Sequence, residues 1–110
     1  MTEIKLPYRL VDGEHMSREY PDTFHIPAGY ERSNVDVGRF VKLGFDAGEQ
    51  GVERMWVRVT EADDNGSYTG ILSNSPIGID GLDAGDLVVF EARHILAIAE
   101  DDGLEHSENF

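Results

Sequence analysis

The sequence predicts a mainly β protein: a small, five-stranded, strongly bent sheet or barrel, SH3-like by preference and OB-like as the alternative. Three observations predict it. Glu53 to Thr60 alternates cleanly, with Met55, Val57 and Val59 on one face and Arg54, Trp56 and Arg58 on the other. Further runs of strand length lie on either side of it, at short spacing and with turn residues between them. Asp63-Asp64-Asn65-Gly66 carries an Asn-Gly pair between two such runs, the strongest short-range hairpin signal, because both residues tolerate positive φ.

Residues 1–34 read as an irregular arm. Pro7, Pro21 and Pro27 each remove a backbone donor and turn the preceding residue away from helix. A short helix is expected over Gly13 to Glu19, capped by Asp12. Tyr20, Phe24, Ile26 and Tyr30 are the expected apolar anchors, and the arm is expected to pack on the domain and cover a sheet edge.

Residues 35–99 form the predicted barrel. Arg39 to Phe45 is its first strand, with Gly44 as a candidate bulge or bend. The Trp56 strand follows and ends near Ala62. Ser67 to Asn74 is next, with Tyr68 and Leu72 sharing a face. Ser75-Pro76 stops pairing, and Ile77, Ile79 and Leu82 are expected to plug the core from the loop 77–85. Leu87-Val88-Val89-Phe90 is apolar on both faces and reads as a central strand. Arg93 to Ala99 reads as a fifth strand, with a helix over Glu91 to Glu100 as the competing assignment. Residues 100–110 read as a solvated acidic tail.

Composition narrows the function classes. Twenty-two acids against nine bases give a net charge of −13. That field repels nucleic acid and anionic membranes and steers basic protein partners inward. The chain has no cysteine, which removes disulfides, thiolate nucleophiles and cysteine-ligated metals. No apolar run reaches the roughly 20 residues of a membrane span, and Met1 to Leu10 lacks a signal-peptide core. A cytoplasmic location is the expectation.

Several motifs then resemble a known family. They are Phe24-His25-Ile26-Pro27, Val41-Lys42-Leu43-Gly44-Phe45, Glu53-Arg54-Met55-Trp56-Val57, Gly70-Ile71-Leu72-Ser73-Asn74-Ser75-Pro76 and Gly85-Asp86-Leu87-Val88-Val89-Phe90, in that order. Together, over about residues 23–98, they resemble an uncharacterised bacterial family, number 2314 among the domains of unknown function. The resemblance implies a compact domain centred on Trp56 and brings no activity with it. Two departures stand out: His25 follows Phe24 where such sequences often carry an aromatic, and Ile98-Ala99-Glu100 replaces a frequent Ile-x-Asp-Trp ending.

The candidate contact residues are Arg54, Trp56, Arg58 and Tyr68. Tryptophan and arginine dominate binding hot spots, and guanidinium stacks on indole. The competing reading makes Trp56 a core residue under the arm, with both arginines paired to surplus acids. Glu53, His25 and His94 are candidate proton-transfer groups for a small-molecule or hydrolytic cleft beside Glu53. Glu61-x-Asp63-x-Asn65-Gly66 has half the spacing of a calcium loop, but Leu72 stands where the closing acid belongs, so it reads as a hairpin turn. No metal ligand set, cofactor motif, phosphate loop or nucleophile elbow is read. The expected function is a small acidic binding or regulatory module, in protein interaction or an immunity-like role against a basic toxin. A non-enzymatic module is the preferred reading, with an enzyme left open.

Overall fold

A computed structural model describes residues 6–99. The 100–110 tail anticipated from the sequence lies outside the described residues. The protein is mainly β. Five antiparallel strands follow one another in a nearly closed, barrel-like sheet, in the order β1 (Arg9–Leu10), β2 (Phe40–Asp46), β3 (Val52–Ala62), β4 (Ser67–Leu72) and β5 (Leu87–Glu91). A final two-residue strand, β6 (Ala97–Ile98), returns to pair with β2. Two helices precede the long strands, α1 (Gly13–Glu19) and α2 (Gly29–Arg32).

Helix α1 has the expected bounds. Asp12 caps it by accepting the His15 backbone N–H at 3.0 Å, which satisfies one of the unpaired donors of the first turn. β1 pairs with the end of β2, Arg9 opposite Asp46 and Leu10 opposite Phe45. Of the arm's expected anchors, Phe24 and Ile26 are half-buried. Tyr20 and Tyr30 are exposed. Arg32 and Tyr68 also hold the arm. The buried Arg32 guanidinium pairs with Glu14 at 2.6 Å and donates to the Pro27 and Ala92 carbonyls. The Tyr68 hydroxyl donates to the Arg32 carbonyl at 2.8 Å and accepts the Val35 N–H. All but the bond to Pro27 are long-range hydrogen bonds, which apolar periodicity does not encode.

β2 and β3 pair without interruption from Phe40–Arg58 to Asp46–Val52. Gly44 is therefore no bulge. It is small because the arm crosses it: a Cβ there would meet Val11 Cγ2 at 2.8 Å. The irregularity lies instead between Val59 and Glu61, in the pairing of β3 with β4. The hairpin at Asp63–Gly66 closes with the Gly66 N–H donating to Asp63 and the Asp63 N–H donating to Ser67. Only Gly66 takes positive φ, 93°, so the loop is not the two-residue turn in which Asn65 would share that conformation.

The alternation of β5 corrects the reading of a central strand. Val88 and Phe90 are buried, while Leu87 and Val89 are 68% and 66% exposed, and β5 ends the strand order. An apolar run looks the same in sequence whether its outer face is covered or bare. After β5 the chain makes a 3-10 turn, Ala92–His94, and then the short β6, so the stretch 91–99 is neither a full strand nor a helix. In the loop 77–85, Ile79 and Leu82 plug the core as expected. Ile77 does not; it is 96% exposed.

The core gathers Val41, Leu43 and Phe45 from β2, Met55, Val57 and Val59 from β3, Leu72 from β4, and Val88 and Phe90 from β5. β2 to β5 thus each contribute the alternate residues that period two dictates. Tyr8 meets Phe45 edge-on at 5.0 Å. Burial, and then the charge of Asp86, raise its phenol above the usual tyrosine range.

Candidate functional site: the outer face of β2 and β3

The residues of β3 that point away from the core share a face with their β2 partners. The rows are Arg54 beside Gly44, Trp56 beside Lys42, and Arg58 beside Phe40. The Lys42 ammonium lies 4.8 Å from the Trp56 ring centroid. The Arg54 guanidinium lies 5.3 Å from the centroid of Phe24, which the arm brings to the same surface. Both contacts are cation–π geometries. Trp56 is half-buried; Arg54 and Arg58 are exposed.

Among the described residues, none of Lys42, Arg54 and Arg58 has a carboxylate within the 4.0 Å of an ion pair; the pairs found use Arg32 and Arg93. In a chain of 22 acids this leaves a local cationic and aromatic strip on an acidic molecule. Trp56 belongs to neither extreme anticipated from sequence, being neither core nor freely exposed.

The backbone of β3 is fixed by side chains of the following loop. Asn74 Oδ1 accepts the Trp56 N–H at 2.6 Å, and the Trp56 carbonyl accepts the Ser73 N–H. Glu53 accepts the Ile77 N–H at 3.0 Å and the Gly78 N–H at 2.6 Å. The acid before Met-Trp and the asparagine before Ser-Pro therefore meet in one joint. The signal was present in the sequence, in the two motifs, but not the connection between them.

The other candidates fall in different places. Tyr68 is only 4% exposed, inside the sheet. It belongs to the inward row with Gly70 and Leu72, stacks on Phe90 at 5.3 Å, and cannot meet a partner on the outer face. His25 is exposed, with its Nε2 3.2 Å from the Asp22 carbonyl. His94 is buried in the turn after β5, where its Nδ1 accepts the Glu91 N–H at 3.0 Å. Burial, reinforced by Arg93, lowers its pKa and favours the neutral ring, against a smaller opposing pull from Glu91 and Asp12. Among the described residues no three His, Asp or Glu side chains gather as a metal site, and no helix is long and apolar enough to cross a membrane.

A groove of about 820 Å³ adjoins the strip, where the arm passes over the ends of β2 and β3. Arg9, Arg54, Met16, Phe24, Val52 and Leu96 are in its lining, and His94 contributes to it as well. Glu53 and His25 do not line it. Period two turns Glu53 away from the face that carries Arg54.

Fold and surface together define a small barrel-like β domain with an arm clasped over one edge and a cationic, aromatic outer face. Residues 32–98 match the profile of a family described as an uncharacterized protein conserved in bacteria (DUF2314), and the chain belongs to that family. The Phe24–Pro27 stretch lies just before the matched span. No curated protein and no solved structure matches the chain.

Proposed function

We propose that this domain is a small regulatory, protein-interaction module that meets its partner through the outer face of β2 and β3. The observation that carries this reading is the strip Arg54, Trp56, Arg58 and Lys42, a half-exposed indole among cations without carboxylate partners among the described residues. Such groups give large contact areas with polar handles. The net charge of −13 steers a basic protein toward the molecule, as an inhibitory, immunity-like role against a basic toxin requires. At contact, that partner must offer carboxylate or aromatic groups to the strip. We read the fold as SH3-like in preference to OB-like: β2 to β5 form a consecutive meander, whereas an OB barrel is a Greek key.

The test is affinity capture on the immobilised protein, comparing wild type with Trp56→Ala, Arg58→Gln and, as a control away from the face, Arg18→Gln. A partner lost with the first two variants and kept by the third supports the reading. Equal recovery by all four sinks it.

A second reading, a small-molecule site beneath the arm, is favoured by the groove itself. A hydrolytic version using Glu53 would need that carboxylate to leave Ile77 and Gly78.

A further inference from the structure

We propose that the groove beneath the arm binds a small amphipathic carboxylate, a free acid with an aliphatic or aromatic body. This rests on the second reading above; the groove shares Arg54 with the partner-binding face but no other residue of the strip.

The groove's volume, about 820 Å³, lies within the range of small-molecule sites. Its body is apolar: Met16 and Phe24 come from the arm, Val52 from β3 and Leu96 from the stretch before β6. An apolar groove alone would fit any greasy molecule. Two cations select the class. Arg9 on β1 and Arg54 on β3 both line the groove, and neither has a carboxylate partner within 4.0 Å among the described residues.

The register puts them on one face. Arg9 stands opposite Asp46, which stands opposite Val52, and Arg54 is two residues further along β3. Strand spacing and rise then set their Cα atoms about 12 Å apart, across which two long guanidinium side chains can converge on one carboxylate.

Two acids, Asp12 and Asp46, also line the groove. Asp46 accepts the Gly48 N–H, and Asp12 holds both the His15 N–H and Arg93. Arg93 is taken up by Asp12 and Glu91. Arg93 balances Asp12, and Arg9 and Arg54 stand against the one remaining charge of Asp46, so the groove keeps a single surplus positive charge beside apolar wall, the complement of an amphipathic monoanion. A charge-dense polyanion is a poorer fit, because the chain's overall −13 opposes it and two guanidinium groups cannot neutralise it.

The experiment is an NMR titration of the full chain with octanoate, with octanamide as its neutral counterpart and with a short oligoglutamate peptide, repeated on Arg9→Gln and Arg58→Gln. Arg9 lines the groove and is no part of the outer-face strip, and Arg58 belongs to the strip and does not line the groove. Both side chains are exposed, and far-UV circular dichroism checks that both variants fold. The expected result is saturable shifts at groove residues with octanoate. Arg9→Gln should weaken octanoate by about tenfold, the scale of one charge-assisted hydrogen bond, and Arg58→Gln should leave it unchanged. Equal binding of octanoate and octanamide would overturn the proposal, since charge would then play no part. Preferential binding of oligoglutamate, or no saturable shift at all, would overturn it too. Loss of partner capture in Arg58→Gln with octanoate binding intact would separate the two readings.

Discussion

The Glu53 carboxylate, on β3, takes the backbone N–H of Gly78 at 2.6 Å and that of the adjacent Ile77 at 3.0 Å. Two consecutive amides aimed at one carboxylate form a charge-assisted clamp on the long loop between β4 and β5. That loop carries Ile79 and Leu82 into the core. Removing the clamp frees the loop and leaves two N–H groups to water. Glu53→Ala should destabilise the fold by about 1–3 kcal/mol, and Glu53→Gln, which keeps one acceptor oxygen, by less. Urea unfolding measures both. An unchanged midpoint in Glu53→Ala would remove the structural role given to this residue and return it to the pool of candidate acids.

This joint also marks the limit of what the sequence made legible. Met55, Val57 and Val59 identified the core face correctly because strand periodicity is local. The α1 helix was legible for the same reason: a cap residue sits directly before it. Glu53 and Ile77 are 24 residues apart, Trp56 and Asn74 are 18 apart, and Tyr68 and Arg32 are 36 apart. Each bond joins a side chain to a distant backbone group, and no periodicity announces it. Tyr68 was misread as a contact residue because its face was known but not its partner. Leu87 and Val89 were misread as buried because hydrophobicity does not report strand order. The strip of Arg54, Trp56 and Arg58 was legible from β3 alone, but Lys42 joined it only through the register of β2.

Gly70 is held by packing rather than by a turn. A Cβ there would come within 2.5 Å of Val57 Cγ1 and 2.6 Å of the Arg58 carbonyl oxygen, a backbone atom that cannot swing away. At Gly44 the nearest atom, 2.8 Å off, belongs to the Val11 side chain at the movable arm. Gly70→Ala should therefore cost more than Gly44→Ala, with overpacking of about 1–3 kcal/mol or more at the former. Chemical denaturation of the pair gives the order directly. The reverse order would mean that the arm is the stiffer element.

Trp56 reports the local field. The molecule is strongly acidic, yet the indole lies beneath Lys42 and between Arg54 and Arg58 along its strand. Collisional quenching of its fluorescence should then be more efficient with iodide than with caesium at matched, moderate ionic strength. Lys42→Gln and Arg58→Gln should each narrow the difference. If caesium quenches better in the wild type, the overall charge governs the surface and the cationic strip has no electrostatic meaning for a partner.

His94 links stability to pH. Its Nδ1 accepts the Glu91 N–H, so the folded state needs the neutral ring, and burial together with Arg93 lowers its pKa from the ordinary 6.5. Unfolded chains then bind the extra proton more readily than folded ones. The contribution to stability is fully present above about pH 6.5 and is lost as pH falls from there through the lower, folded value. Asp12 acts with the same sign in a lower window. Burial works against its ionisation, but the His15 N–H and Arg93 outweigh that and hold it below its usual 3.8, so its contribution is lost only in stronger acid. Urea midpoints measured between about pH 7 and pH 5 should fall in the wild type, while His94→Gln, which cannot titrate, should start lower and stay flatter. A parallel decline in both proteins would assign the loss to other groups and leave His94 as a packing residue alone.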